Sequence, residues 1–237
     1  MRFPALTTML VFALLATGAA AQQVRVTLRV IEVPHAQVMK WTGGAPMKGW
    51  QLHDEAVKLV LAGGAEIVET NVLTVRSGEN ASVESIAEML YPTEPDASGV
   101  GSALPSTPLG EGTFSYRYTR AFDPAFFGDF ETRNTGVTLE VEPTVDPGGK
   151  MVDLRLLLDM VDRASLTTWT EFRDEWGDAS IRMPVYDSKR FLNSITLADG
   201  VFELWQVFNP KPVAVPAVTT RMMVFVCADV LPSSEVK

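Results

Sequence analysis

The chain has 237 residues, 46% of them hydrophobic, and 20 Lys+Arg against 29 Asp+Glu give a formal charge of −9. This length and apolar content suit one sizeable domain or two small ones and exclude global disorder, and the acidic balance argues against nucleic acid as a main partner, since phosphate binding needs clustered Lys and Arg. One Cys excludes an intramolecular disulfide, and two His with one Cys exclude a His/Cys zinc cage within a single chain.

The first 21 residues read as an address. Arg2 supplies a positive start, residues 6–16 are nearly all apolar, and Ala19, Ala20 and Ala21 close the run with small side chains. That is the layout of a secretory signal peptide, with cleavage expected after Ala21; the apolar run is about half of the ~20 residues a membrane span needs. The protein is therefore expected to be exported, with residues 22–237 as a single domain. The expected home is the periplasm or outer membrane of a Gram-negative-type bacterium.

Strands dominate the rest of the chain. Val24, Val26, Leu28 and Val30 alternate with Arg25, Thr27 and Arg29, the period of a half-buried strand. A short helical turn is expected over 36–41. A helix is expected over 54–61, with Val57, Val60 and Leu61 on one face and Gly63-Gly64 as its stop. Residues 66–75 read as a strand ended by Ser77-Gly78-Glu79-Asn80. For 81–90 the residues leave two readings open: Val83, Ile86 and Leu90 have helical spacing, yet the stretch comes after a hairpin-like turn. Residues 94–112 hold Pro95, Gly99, Gly101, Pro105, Pro108, Gly110 and Gly112 and read as a long loop. Aromatic residues come next, Phe114, Tyr116, Tyr118 and Phe130 among them, and are read as side chains anchoring the loop rather than as a ligand platform.

Val137, Leu139 and Val141 alternate with Thr138, Glu140 and Glu142; after the turn residues Asp146-Pro147-Gly148-Gly149, the alternation resumes at Val152, Leu154, Leu156, Leu158 and Met160. Strand, tight turn and strand predict a long β-hairpin over 137–161. A second hairpin is expected over 193–208 around Asp199-Gly200. Residues 221–230 close the domain as a nearly continuous apolar strand, suited to burial on both faces.

The search for chemistry finds no reactive centre. There is no G-x-S-x-G elbow, and Gly43 to Gly49 lacks the G-K-[ST] ending that cradles phosphate. His35 and His53 lie far apart in sequence, each beside an expected element boundary, where solvated or capping His residues are ordinary. Glu140 and Glu142 share one strand face, which reads as solvated rather than as a catalytic pair. Asp153, Asp159 and Asp162 read as polar positions on hairpin edges. Cys227, inside an apolar strand, reads as core filler. The expectation is thus no enzyme, no metal and no cofactor.

The order of the pieces resembles the C-terminal domain of the secretins, the outer-membrane channels of bacterial type II and III secretion systems and type IV pili. The family pattern is a strand ending in E-V, matched by Glu32-Val33; a G-x-x-A turn, matched by Gly78 to Ala81; and an R-x-x-G-V-x-L-x-V-x-P strand. That strand is matched by Arg133, Gly136, Val137, Leu139, Val141 and Pro143. A return strand, a D-G hairpin at Asp199-Gly200 and an apolar last strand complete it. The resemblance covers about residues 24–231 and implies a mainly β fold of long antiparallel hairpins with one or two short helices. It settles 81–90 as a strand.

It further implies a homo-oligomer built through strand edges, with other secretion-system or envelope proteins as partners and neither nucleic acid nor cofactor. Two departures stand beside it. The amphipathic segment that comes after the D-G hairpin in the family is missing, and residues 164–182, where membrane hairpins are expected, carry Glu171, Arg173, Asp174, Glu175 and Asp178. Those charges argue against direct insertion by this chain alone. A shortened periplasmic relative, serving as a binding or assembly module without a pore, is the other reading.

Overall fold

The structure, a computed structural model, describes residues 22–93, 129–170, 173–174, 177–178, 181–210 and 219–232. The signal peptide with Ala21, the expected loop at 94–112 and the aromatic residues 114–127 lie outside the described residues.

Two four-stranded antiparallel sheets carry the fold. In the first, β1 (Gln23–Pro34) and β10 (Thr220–Leu231) are the central pair, flanked by β2 (Glu66–Arg76) and β9 (Glu203–Phe208). The second runs β3 (Ala81–Pro92), β4 (Phe130–Val145), β5 (Met151–Thr170) and β8 (Ile181–Ala198). Two short pieces, β6 (Arg173–Asp174) and β7 (Gly177–Asp178), pair near the far end of the β5–β8 hairpin. Helices α1 (His35–Thr42) and α2 (Gly49–Leu61) come after β1. The mainly β fold with two short helices is as expected, and 81–90 is a strand.

The period-2 pattern explains the core. Val24, Val26, Leu28 and Val30 of β1 meet Leu139, Val141, Leu154, Leu156 and Leu158 of the second sheet, each at most 1% exposed. Burying each such side chain contributes about 1.5–3 kcal/mol. The opposite face of the first sheet is covered by the helices, where Ile31, Val33, Met223 and Phe225 pack on Val38, Trp41, Leu52 and Ala56. β10 therefore feeds two cores. Met222, Val224, Val226 and Ala228 face the other sheet, whereas Met223 and Phe225 face the helices. A strand covered on both sides cannot alternate with polar residues, which accounts for its unbroken apolar run.

The structure corrects three expectations. The helix placed at 54–61 begins at Gly49, and its buried face is Leu52, His53 and Ala56, while Leu61 is 83% exposed. The start is set by the Lys48 backbone N–H, which donates to the Gln51 side chain at 3.0 Å, a local bond that composition does not advertise. Secondly, His53 is neither capping nor solvated; it lies inside α2 and is 6% exposed. Thirdly, 193–208 is not a hairpin. Asp199-Gly200 does turn the chain, with Val201 N–H donating to the Ala198 carbonyl at 3.1 Å, but β8 pairs with β5 and β9 with β10. The turn is a crossing between sheets.

Candidate assembly surface

The residues singled out in the sequence cluster where the second sheet is tied down and where it leaves the first. At the near end, Gly78 turns β2 into β3, and its N–H donates to the Pro143 carbonyl at 2.7 Å. Asp199 accepts the Val230 N–H at 2.8 Å, while its own N–H donates to the Lys150 carbonyl at 2.9 Å. Gly200 donates to the Ala228 carbonyl at 2.9 Å. Asp199 and Gly200 thus lock β8, the β4–β5 turn and β10 together. Leu139 and Val141 are in the core, with Val137 packed at its margin.

Gly136 marks the place where the second sheet divides. The β4–β5 ladder ends at the pair Gly136 and Val161, yet the β3–β4 ladder runs on to Pro92 and Phe130, and the β5–β8 ladder to Thr170 and Ile181. Beyond Gly136 the two hairpins continue separately. Gly136 has φ +122, and a Cβ there would run into the Ser85 carbonyl oxygen. Only glycine lets β4 leave β5 while staying on the β3 ladder.

The outgoing part of β5, residues 161–170, spans about 30 Å at ~3.3 Å per residue. Its surroundings are open: Leu90 is 63%, Leu166 55% and Phe130 52% exposed. The two hairpins touch through Arg133, whose Nη2 donates to Ser188 Oγ at 3.0 Å and whose guanidinium lies 5.7 Å from the Tyr186 ring centre. Tyr91 lies 5.7 Å from Tyr186 and donates its hydroxyl to the Glu131 carboxylate at 3.1 Å, which raises the Tyr91 pKa. Among the described residues, no strand pairs with the outer edge of β3 or of β8. Two such edges on one long sheet are the candidate surface, because unpaired backbone donors and acceptors can template another strand.

The remaining candidates show ordinary structural roles. Glu140 and Glu142 sit on the outer face of the second sheet, with Glu142 at 3.8 Å from Arg155. Asp153 accepts the Thr196 hydroxyl at 2.6 Å, and Asp162 pairs with Lys189 at 3.4 Å. His35 opens α1. His53 stacks on Phe202 with centroids 3.9 Å apart, meets the Phe225 ring edge-on, and accepts from Arg29 Nη1 through Nε2 at 3.2 Å. Burial and then the Arg29 charge lower its pKa, against a weaker pull from Asp54, whose carboxylate is 3.5 Å from Nδ1. The ring is a neutral packing element beneath an open pocket of about 320 Å³ beside Trp50, Asp54 and Val201. Cys227 is 3% exposed, and burial with Asp229 alongside pushes its thiol up to about 12. Among the described residues no group of three or more His, Cys, Asp or Glu could hold a metal, and no helix is long and apolar enough to cross a membrane. The sequence reading expected assembly through strand edges but did not say which strands form them, because pairing partners are not encoded in any one strand.

No family model matches the chain, and no curated protein matches it. Solved structures do. The chain is similar to secretins. The type II secretin from enteropathogenic Escherichia coli matches at 11% identity and TM-score 0.44, over 90% of this chain and 70% of that one. The secretin domain β-barrel of the Salmonella SPI-1 injectisome matches at 9% identity and TM-score 0.46, over 90% of this chain and 64% of that one. The type IV competence pilus secretin of V. cholerae matches at 11% identity and TM-score 0.41, over 89% and 61%. The chain spans about two thirds of the length of these secretins.

Proposed function

We propose that this chain is a secretin-like component of a bacterial protein-secretion or pilus apparatus that oligomerises through its strand edges at the outer membrane. The observation that carries the reading is the overhanging second sheet, in which β3 and β8 have no pairing partner on their outer sides among the described residues. A chain acting alone would hold two long edges open to water and to aggregation; copies set side by side satisfy those edges and continue the sheet as a wall. The role is structural or in transport, with no covalent step and no cofactor. Self-association and other envelope proteins are its partners.

Charge near the end of the β5–β8 hairpin favours a second reading. Arg173, Asp174 and Asp178 stand there, where a lipid-facing band would be apolar. On that reading the chain is a periplasmic binding or assembly module that makes no pore. Gel filtration and negative-stain microscopy of the exported chain separate the two. Large ring-shaped multimers from an outer-membrane fraction support the first reading; a soluble monomer or dimer refutes it and leaves the module.

A further inference from the structure

The pocket over His53 lies on the helix-covered side of the first sheet, away from the strands of the second. His53 and Phe202 form its floor as a parallel stack, with ring planes 1° apart. Trp50 and Asp54 stand one turn apart on α2, so they share a helix face beside that floor. Gly200 and Val201 line the other side, where the Gly200 N–H is tied to the Ala228 carbonyl and the Val201 N–H to the Ala198 carbonyl. Helix and turn are both held from within the fold, so the pocket is preformed.

Charge decides what can enter. Of the lining residues Asp54 alone is charged, since burial and Arg29 hold His53 neutral. The Asp54 side chain is 59% exposed and has no Lys or Arg partner among the described residues. Lys58, one turn further along α2, is taken by Glu55 at 2.7 Å. Arg29 does not line the pocket; its Nη1 is on His53, and its guanidinium lies 5.1 Å from the Phe202 ring centre. Glu203 sets a second carboxylate beside Trp50, because it lies against Gly49, where an added Cβ would meet its Oε2. An unpaired carboxylate beside an aromatic face attracts a cation and repels an anion. The formal charge of −9 on the chain acts in the same direction.

Size and shape narrow the cation. The volume of about 320 Å³ stands at the low end of small-molecule sites, which enclose most of their ligand. An open pocket of that size covers only the tip of what it holds, which suits a side chain whose backbone stays outside. A guanidinium can lie flat on an indole and still turn an N–H edge to a carboxylate, whereas an ammonium is a point charge with no face. Trp50 is 42% exposed and offers such a face one turn from Asp54. We propose that the pocket receives an arginine side chain of a partner polypeptide, its guanidinium stacked on Trp50 and its N–H edge paired with Asp54. The seat is the helix layer, and it does not depend on assembly through the strand edges of the second sheet.

Saturation-transfer NMR on the full exported chain tests the site, because it reads weak ligands on targets of any size. The probe is a capped acetyl-Gly-Arg-Gly-amide peptide. It is expected to bind with a Kd of about 1 mM, and about fivefold or more weaker to Asp54→Asn and to Trp50→Ala. Both side chains are exposed, and circular dichroism checks that the variants stay folded. Glu79→Gln, which removes an exposed carboxylate elsewhere, is expected to leave binding unchanged. The peptide with lysine in place of arginine is expected to bind more weakly, and the peptide with glutamate not at all. No saturable signal up to about 10 mM overturns the proposal. So does binding that folded Asp54→Asn or Trp50→Ala leaves unchanged, or a lysine or glutamate peptide that binds as well as the arginine peptide. The signal comes from the peptide rather than from multimers, so failure here is told apart from failure of the strand-edge assembly.

Discussion

Replacing Gly136 by alanine tests whether the division of the second sheet depends on one backbone conformation. The residue sits at φ +122, and an added Cβ would meet the Ser85 carbonyl oxygen, with Ser85 C and Ile86 Cα each at 3.1 Å. The backbone conformation alone costs about 1–3 kcal/mol for a side-chain-bearing residue. The collision is with backbone, so relief requires β3 to move off its ladder, and the total is about 3 kcal/mol. For a chain of this size that lowers Tm by about 6–12 °C. Gly200 is the control: its φ is +69, but the nearest atom to an added Cβ is Asp229 Oδ1 at 3.5 Å. There the cost is the left-handed conformation alone, about 1–2 kcal/mol. Thermal unfolding followed by circular dichroism measures both variants. Hydrogen exchange in Gly136→Ala is expected to quicken first in β3 and the outgoing part of β4. A Gly136→Ala variant within about 2 °C of the parent, or one more stable than Gly200→Ala, refutes the argument.

Two further outcomes concern buried groups. His53 is held neutral, with its pKa lowered by burial and Arg29, so the unfolded chain binds the extra proton and stability declines as pH falls below the ordinary value of 6.5. Urea unfolding at about pH 7.5 and about pH 5.5, on either side of that value, should show the decline in the parent and a flatter dependence in His53→Gln; equal slopes would remove His53 as the cause. The Cys227 thiol, raised to about 12 and 3% exposed, is expected to resist a thiol reagent at about pH 8 until the chain unfolds. Prompt labelling of the native protein counts against its burial.

Particular residues show how far the sequence could be read. The β4–β5 hairpin was legible because Val137 to Met160 alternate, Leu157 apart, on either side of Asp146, whose carboxylate accepts the Lys150 and Met151 N–H groups at 2.8 Å. The turn and the pattern are both local. The expectation for 81–90 needed the resemblance, since Val83, Ile86 and Leu90 fit either period. The burial of His53 was illegible: Arg29 lies 24 residues away and Phe202 much further, and neither neighbour is implied by the helix that carries the ring.

The sequence by itself determined the core parts of β1, β2, β4, β5 and β10, the faces they bury and the tight turns at Asp146 and Asp199, because side-chain alternation and turn chemistry act between neighbours in the chain. Only the tertiary structure decided that Asp199-Gly200 passes from one sheet to the other, that β4 parts from β5 at Gly136, and that β3 and β8 stand at the edges of an overhanging sheet. Strand pairing is a contest among distant backbone groups. Each strand offers the same donors and acceptors on both sides, so its partners are fixed only when the whole core has closed.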